Sequence, residues 1–533
     1  MSVNSAVFSN RVNFRSLPSL DHTQLAHIRH MIRLARQIPG EWAYMGTAEP
    51  SQEGFDCYRY QLAFMVYTLA LAQYHRTPAY RELYRDTIQK LIEKMLRYEV
   101  WGYWETTSRG SKILNPALEK LEEGNIDPVL RQNIMYSGHL LMMVGLYEML
   151  YQDGTYDRPN SLTFQFHPVF RGFGRQEFHY DFKSLTRVIY SEFERNQYIG
   201  VECEPNGVFM FCNQFPILGF MLYDATHGTD IAAQVIPKFQ AAWNEKMNYF
   251  NTEDFTALPS FYLLKQGVSA RRRGQNIGTI PFMNVWNKDF CEKHYRSLLD
   301  EAAVLHPDGA IGVNLDYAIE AYLSYQKNPA FPSTNPVMIG THDLGFLAMA
   351  ASEMGDEQTL EGVLRYADTR LKPVWDNGCL YYERNDDITS EAYTSRLTGN
   401  AALAYARVNV KDGLRTLFHQ PWSSSVLQEL QVTDVPYPNV LIRQAYVESE
   451  TGALVVSTVP GTDTVAKESI SIRGMDRNAR YAIEIDHHPS AHYDAGEVTL
   501  QSEAADIRWE DSTQRLIITS DFSRPKTIIV GKI

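Results

Sequence analysis

Cys203 and Cys212 stand nine residues apart, and between them run Glu204-Pro205-Asn206 and then the aromatics Phe209 and Phe211. Upstream, Asn133-Ile134-Met135-Tyr136-Ser137-Gly138-His139 opens an otherwise apolar segment. A thiol, a carboxyl and an imidazole are the parts of an acid/base set. Inside an apolar cavity the imidazole can hold a proton or lower a thiol pKa. The plainer alternative makes His139 a hydrogen-bonded core residue, the cysteines small buried hydrophobes, and Glu204 the cap of a turn. Spacing alone favours the plainer alternative, so the decision falls to the elements that position these side chains.

Other chemistries lack their signatures. The chain has no Walker loop, Gly-rich dinucleotide turn, GxSxG elbow, CxxC pair or HExxH motif. His342-Asp343 and His487-His488 are short pairs without metal-ligand spacing, the second reading as a solvated loop. Neither a metal nor an organic cofactor is expected. Five cysteines in 533 residues (Cys57, Cys203, Cys212, Cys291 and Cys379) are odd in number and sparse, which reads as reduced thiols. A net charge of -13 argues against a nucleic-acid partner, because the basic surplus that neutralises phosphates is missing. No run of eighteen apolar residues offers a membrane span, and the first residues carry no leader pattern, so a cytoplasmic chain is expected.

The first three-quarters of the chain reads as paired helices. Tyr60 to Gln73 is apolar all round and predicts a buried helix, whereas Leu83, Tyr84, Ile88, Leu91, Ile92, Met95 and Leu96 fall on one face. The same succession recurs at Ile134 to Leu150 with Tyr180 to Asn196, at Pro216 to Tyr223 with the stretch through Trp243, and at Leu344 to Met354 with Leu360 to Arg370. Glycine-bearing turns separate these partners and supply the left-handed stop. Repeated αα-hairpins predict a mainly α architecture, an (α/α) toroid whose inner helices line a cavity. Past residue 418 short β-branched runs take over: Val440 to Val447, Ala453 to Val459, Tyr481 to Ile485, Val498 to Gln501, Leu516 to Ser520 and Thr527 to Val530. The expected organisation is therefore a toroid over 1–417 and a smaller all-β, sandwich-like domain over 418–533.

The segments NIMYSGHLLMMVGLYEML and IGVECEPNGVFMFCNQFPILGFMLYDATHGTD resemble the two best-matched blocks of the bacterial linalool dehydratase/isomerase family. Weaker matches are Tyr60 with Ala63-Phe64, Lys94-Met95, Val100-Trp101-Gly102, Trp104-Glu105 and Glu353-Met354-Gly355-Asp356. The resemblance covers about residues 55 to 390 and reverses the preference on His139 and Cys203. It implies an α/α toroid without cofactor that isomerises and dehydrates a small, hydrophobic monoterpene alcohol by acid/base chemistry. It also implies that His139, Cys203 and Cys212 surround the reacting atoms, and that Tyr60, Met135, Phe209 and Trp286 form cavity walls. Phe282 stands where the family has a wall tyrosine, and Arg97 where it has a half-cystine. For the first proton donor the candidates are Glu41, Tyr44, Asp56 and Glu204. The family's cavity lies near a subunit contact, which implies a homo-oligomer.

The expected function is a lyase or isomerase acting on a terpenoid or prenylated alcohol or alkene through a cation-like transition state, with cyclisation as a close variant. A carbohydrate-active enzyme on the same architecture would instead need paired carboxylates, for which Glu105, Asp343 and Glu383 are candidates. An apolar-ligand carrier would need the cavity but neither thiol nor histidine.

Overall fold

The computed structural model describes residues 8–13, 16–46, 51–52, 54, 56–172, 174–316, 319–320, 343–463, 467–503 and 505–533. Helices dominate to His419, and from Gln431 onward the described elements are strands. The helices used below are α1 (His22–Ala35), α2 (Tyr58–Arg76), α3 (Glu82–Met95), α4 (Ile134–Tyr151), α5 (Phe182–Arg195), α6 (Gln214–His227) and α7 (Ile231–Met247). After them come α8 (Ile280–Met283), α9 (Lys288–Ala302), α10 (Leu344–Met354), α11 (Glu357–Arg370), α12 (Leu403–Val408) and α13 (Gly413–His419).

Two kinds of helix alternate, as the hydropathy pattern requires. Every residue of α4 is buried, and α2 and α10 are buried along nearly their whole length. The helices that follow them bury a single face: α3 through Tyr84, Ile88, Leu91, Ile92 and Met95, and α5 through Phe182, Leu185, Ile189 and Phe193. A helix with no polar face is stable only when neighbours cover it on all sides. Accordingly α2 packs on α4, α4 on α6, α6 on α8, α8 on α10, α10 on α12, and α12 back on α2. Close approach within this ring depends on small residues. A Cβ at Gly219 would lie 2.5 Å from Leu141, and one at Gly145 2.7 Å from Leu222, so α4 and α6 meet through both glycines.

The turns between partners stop the helices as anticipated at two places. Gly228 (φ 65°) ends α6 and Gly355 (φ 69°) ends α10. After α4 the left-handed position is taken by Gln152 (φ 47°) rather than by Gly154, and the Gln152 amide donates to the carbonyls of Met149 and Trp422. His342 lies outside the described residues. Asp343 accepts from the Gly345 N–H and the Ser395 hydroxyl, which makes it the cap of α10.

The C-terminal strands are β1 (Gln431–Thr433), β2 (Val440–Val447), β3 (Leu454–Pro460), β4 (Lys467–Arg473), β5 (Arg480–Ile485), β6 (His488–Asp494), β7 (Glu497–Leu500), β8 (Asp506–Glu510), β9 (Arg515–Asp521) and β10 (Lys526–Lys532). They form two antiparallel sheets, ordered β1-β4-β9-β8 and β2-β3-β10-β5-β6-β7. In the six-stranded sheet Val456, Ile483 and Ile528 point into the main core. Val455, Ala482 and Ile529 point to the opposite face, where Phe8 and Val12 cover them. The sequence pattern misses β1, β4, β6 and β8. His488-Pro489 opens β6: the register shifts between Ile483 and Glu484, and the turn before it is made by Asp486 and His487, both with positive φ. The β region is tied to the helices by backbone bonds, Ala79 N–H to Ala445 at 3.0 Å and Val432 N–H to Ala79 at 2.9 Å.

Candidate active site around a buried thiol pair

Cys203 and Cys212 meet because the chain between them doubles back. Cys203 N–H donates to the Gly207 carbonyl at 2.8 Å, Asn206 adopts φ 81°, and Gly207–Phe209 runs as a short strand beside Phe261–Leu263. The return is locked from below by Asn213, whose side chain bridges the N–H and carbonyl of Val201 and the carbonyl of Phe209. The sulfurs end 2.8 Å apart, with the Cys203 thiol donating to Cys212. Both are free cysteines and both are buried.

The pair faces a cavity of about 220 Å³. Tyr60, Phe209, Ile113 and Leu114 give it apolar walls, and Glu204, Arg272, Thr106, Thr107 and Ser111 contribute polar groups. Phe209 is held by stacking on Phe261 at 5.0 Å, and the Arg272 guanidinium lies 5.9 Å from its ring centre. Burial pushes the Cys203 thiol well above its ordinary pKa, and Cys212 and Glu204 add to that, so the sulfur stays protonated at neutral pH.

His139 is fully buried one ring behind this cavity and is not among its lining residues. Tyr60, which does line it, meets the imidazole edge-on at 5.3 Å. Phe215 lies against the imidazole at 3.7 Å, and the Tyr67 hydroxyl is 2.8 Å from Nδ1. Burial first, then the Arg59 charge, hold its pKa far below the usual histidine range, so it is neutral. Its Nε2 is buried and, among the described residues, faces no hydrogen-bond partner.

The remaining expected wall residues separate. Phe282 packs with Phe64, Tyr67, Phe211 and Phe215 in the aromatic cluster around His139. Met135 touches Arg59 through its sulfur at 3.7 Å. Trp286 is no wall of the thiol cavity: its indole N–H donates to Gln214 at 2.9 Å and its rings pack on Phe239 of α7 and on Phe250. An indole packs where its N–H finds an acceptor, and Gln214, the first residue of α6, supplies one.

Of the candidates for first proton donor, Glu204 alone lines the thiol cavity. Glu41 is exposed and accepts from the Ile38 N–H, and Tyr44 is an exposed ring stacked under Arg33. Asp56 is buried and acts electrostatically on Asp343, Asp386 and Tyr393. The carboxylates that a carbohydrate enzyme would pair are engaged singly: Glu105 with Arg171, Asp343 as a cap, and Glu383 exposed. Among the described residues no group of three or more His, Cys, Asp or Glu is arranged to hold a metal ion.

Two residues escape a reading of sequence spacing. Tyr67 is a tyrosine in an apolar helix, and nothing local marks it as the partner of His139. Arg59 is fully buried with its guanidinium 4.6 Å from the Tyr60 ring centre and 4.1 Å from that of Tyr103. An arginine in the first turn of a greasy helix was the available signal.

These features define a helix-rich protein with a C-terminal antiparallel β region and an aromatic-walled, thiol-bearing cavity. The chain belongs to the linalool dehydratase/isomerase family, whose model matches residues 59–388 and so takes in Tyr60, His139, Cys203, Glu204 and Cys212. Among solved structures the chain is similar to endoglucanase CelQ from Clostridium thermocellum complexed with cellotriose, over 96% of this chain and 93% of that one, at 9% identity. The TM-score is 0.31, too low for the likeness to bear on fold or function.

Proposed function

We propose that the protein is a cofactor-independent lyase or isomerase acting on a small terpenoid or prenylated alcohol or alkene, with Cys203 at the reacting centre. The observation that carries this reading is the pair of buried thiols facing an aromatic-walled cavity inside the family-matched segment. The ring of contacts from α2 round to α12 supports an α/α toroid over 1–417, with residues 418–533 as a supporting unit.

In this reading the substrate hydroxyl sits against Cys203 and takes its proton. Water leaves, and the allylic positive charge develops against Tyr60 and Phe209, whose ring faces attract a cation by about 0.5–2 kcal/mol each when water is excluded. The thiolate left behind is the nearest base for a proton on the neighbouring carbon, and taking it restores the thiol. Return of water to a different carbon of the same cation gives isomerisation, and capture by an internal alkene gives cyclisation. Glu204 is the second proton carrier at the cavity. Neutral His139, tied to Tyr67 and packed edge-on to Tyr60, supports the Tyr60 wall from behind.

The test is turnover of a tertiary allylic terpenoid alcohol by Cys203→Ala, with products identified by mass spectrometry. A fall of about 100-fold or more in a variant that melts like wild type is expected. Near-normal turnover would remove Cys203 from the chemistry. Tight binding of the alcohol by wild-type protein without turnover would favour a carrier.

A further inference from the structure

Arg59 is a full positive charge that burial should disfavour. It is completely buried, and among the described residues no carboxylate forms an ion pair with it. One guanidinium nitrogen donates to the Gln52 carbonyl, another reaches the Met135 sulfur at 3.7 Å, and among the described residues Nε faces no acceptor. The rings of Tyr60 and Tyr103 flank it. Tyr103, Cys57 and Tyr60, the last also by a side-chain hydrogen bond, hold the guanidinium protonated against its burial, without a carboxylate placed on it among the described residues.

Both flanking rings lead to the thiols. Tyr60 lines the cavity together with Cys203 and Cys212. The Tyr103 hydroxyl donates to the Asn133 side chain, and the Asn133 N–H donates to the Cys203 carbonyl at 3.1 Å. Arg59 therefore stands one ring, that of Tyr60, from the cavity that Cys203 lines, and it is linked through Tyr103 and Asn133 to the Cys203 backbone. A cation here opposes positive charge on a substrate, so it helps only if negative charge appears nearby in the same step.

We infer that Arg59 is a positioning residue whose guanidinium is the counter-charge for the thiolate formed at the Cys203–Cys212 pair when Cys203 protonates the substrate. The inference rests on the function proposed above. In that step the S–H bond breaks, its proton goes to the hydroxyl oxygen, and the C–O electron pair leaves with water. Sulfur keeps the S–H pair until it takes a proton from carbon, whose C–H pair becomes the new alkene. Arg59 remains protonated throughout, because a guanidinium does not act as a base in proteins.

The groups acting on Cys203 agree with this assignment. Burial, Cys212 and Glu204 push its pKa up, and Arg59 pulls it down. Tyr60 and Tyr103 feel the same thiol, and the cation that lines the cavity itself is Arg272. The thiol is thus kept as an acid at rest while its conjugate base is not left without a partner.

The experiment compares full-length wild type with Arg59→Lys, Arg59→Met and Arg59→Gln. The rate of iodoacetamide labelling at Cys203, located by mass spectrometry, is followed against pH beside turnover of the tertiary allylic alcohol. The neutral variants should move the Cys203 labelling profile up by about one pH unit, a roughly tenfold loss of labelling rate below the pKa, and lower kcat with little change in KM. Arg59→Lys, which keeps the charge, should stay near wild type in labelling. A folded neutral variant with an unmoved Cys203 profile overturns the inference, and so does failure of both neutral variants to fold, which makes Arg59 a structural cation. Turnover retained by Cys203→Ala sinks the underlying reading instead, so the two failures are distinguishable.

Discussion

Two buried polar groups in the same ring of helices are treated in opposite ways. Glu353, near the end of α10, has four donors on its two oxygens: Asn284 and the Arg415 N–H at 3.1 Å each, Asn409 at 2.9 Å and the Leu414 N–H at 3.0 Å. It joins α10 to α13 and to Asn284 beyond α8, and its hydrogen-bonding capacity is used up. The thiol region keeps valences open, with His139 Nε2 and Arg59 Nε both buried and without a partner among the described residues. An unmet buried donor or acceptor costs about 1–3 kcal/mol. A fold that satisfies Glu353 completely and leaves these atoms open has polar groups of two kinds, those that hold helices together and those available to a ligand.

The contrast makes the strongest predictions. Cys203→Ala should lower turnover by about 100- to 10,000-fold while thermal unfolding stays near wild type, since a buried thiol replaced by a methyl loses little packing. Glu353→Ala should do the reverse. Four donors lose their acceptor, so stability should fall by about 3 kcal/mol or more, read as a lower urea midpoint, while the remaining folded protein keeps its specific activity. If Glu353→Ala melted normally but lost turnover, the division between the two groups would collapse. Cys212→Ala lies between: it removes the acceptor of the Cys203 thiol and should cost less rate than Cys203→Ala.

Much of this division is hidden from the sequence. The fully apolar helices and their one-faced partners are visible because burial on all sides leaves no polar residue, and α10 falls on its expected boundaries, Leu344 to Met354. The strands β4, β6 and β8 are harder. β4 carries Lys467 and Glu468 and β6 carries His488 and His492, side chains that alternate outward and dilute the β-branched signal. At the site, the nine-residue interval reveals the two cysteines, because one doubled-back turn brings them together. It does not reveal that Trp286, in the turn after α8, faces Gln214, nor that Tyr60 stands between the thiols and His139, which depends on the side from which Tyr60 leaves a nearly fully buried helix. Such helices have no polar face from which orientation can be read.

Acidification should expose the buried imidazoles. Burial lowers His30 to about 3 and His75 to about 4, and lowers His27 and His139 strongly. An unfolded histidine takes up a proton near pH 6.5, whereas these folded ones do not. The unfolded chain therefore binds more protons below that pH, and stability falls as pH drops, to about 3 for His30 and about 4 for His75. Glu148 works the other way. Burial raises it to about 7, so the stability it gives at low pH is lost as pH climbs from its unfolded value through 7. Burial also raises Asp127, Glu192, Asp343, Glu353 and Asp386, which act in the same sense as Glu148. Each group contributes a slope of at most about 1.4 kcal/mol per pH unit, so a single histidine is read by difference. Between pH 7 and 5 the urea midpoint of His139→Phe should gain on that of wild type as pH falls. A difference that does not change with pH would mean that the His139 ring is reached by water.

The smallest effect concerns Trp286, and it separates the wall of the thiol cavity from the packing behind it. The indole donates to Gln214 at 2.9 Å and packs against Phe239 and Phe250, away from Cys203. Trp286→Phe keeps an aromatic ring against those neighbours and removes one hydrogen bond, which leaves the Gln214 carbonyl without its donor. The loss should be about 1 kcal/mol of stability. KM and the product ratio for an allylic alcohol should not move, because no Trp286 atom borders the cavity. Phe209→Ala is the matched control: Phe209 lines the cavity beside both thiols, and truncating it enlarges the space and removes a ring from the developing charge. It should raise KM and change the products while costing stability as well. If Trp286→Phe altered the products as Phe209→Ala does, the substrate would extend past Tyr60 into the aromatic cluster of Phe215 and Phe282. His139, already at the edge of that cluster, would then meet the substrate directly rather than through the wall.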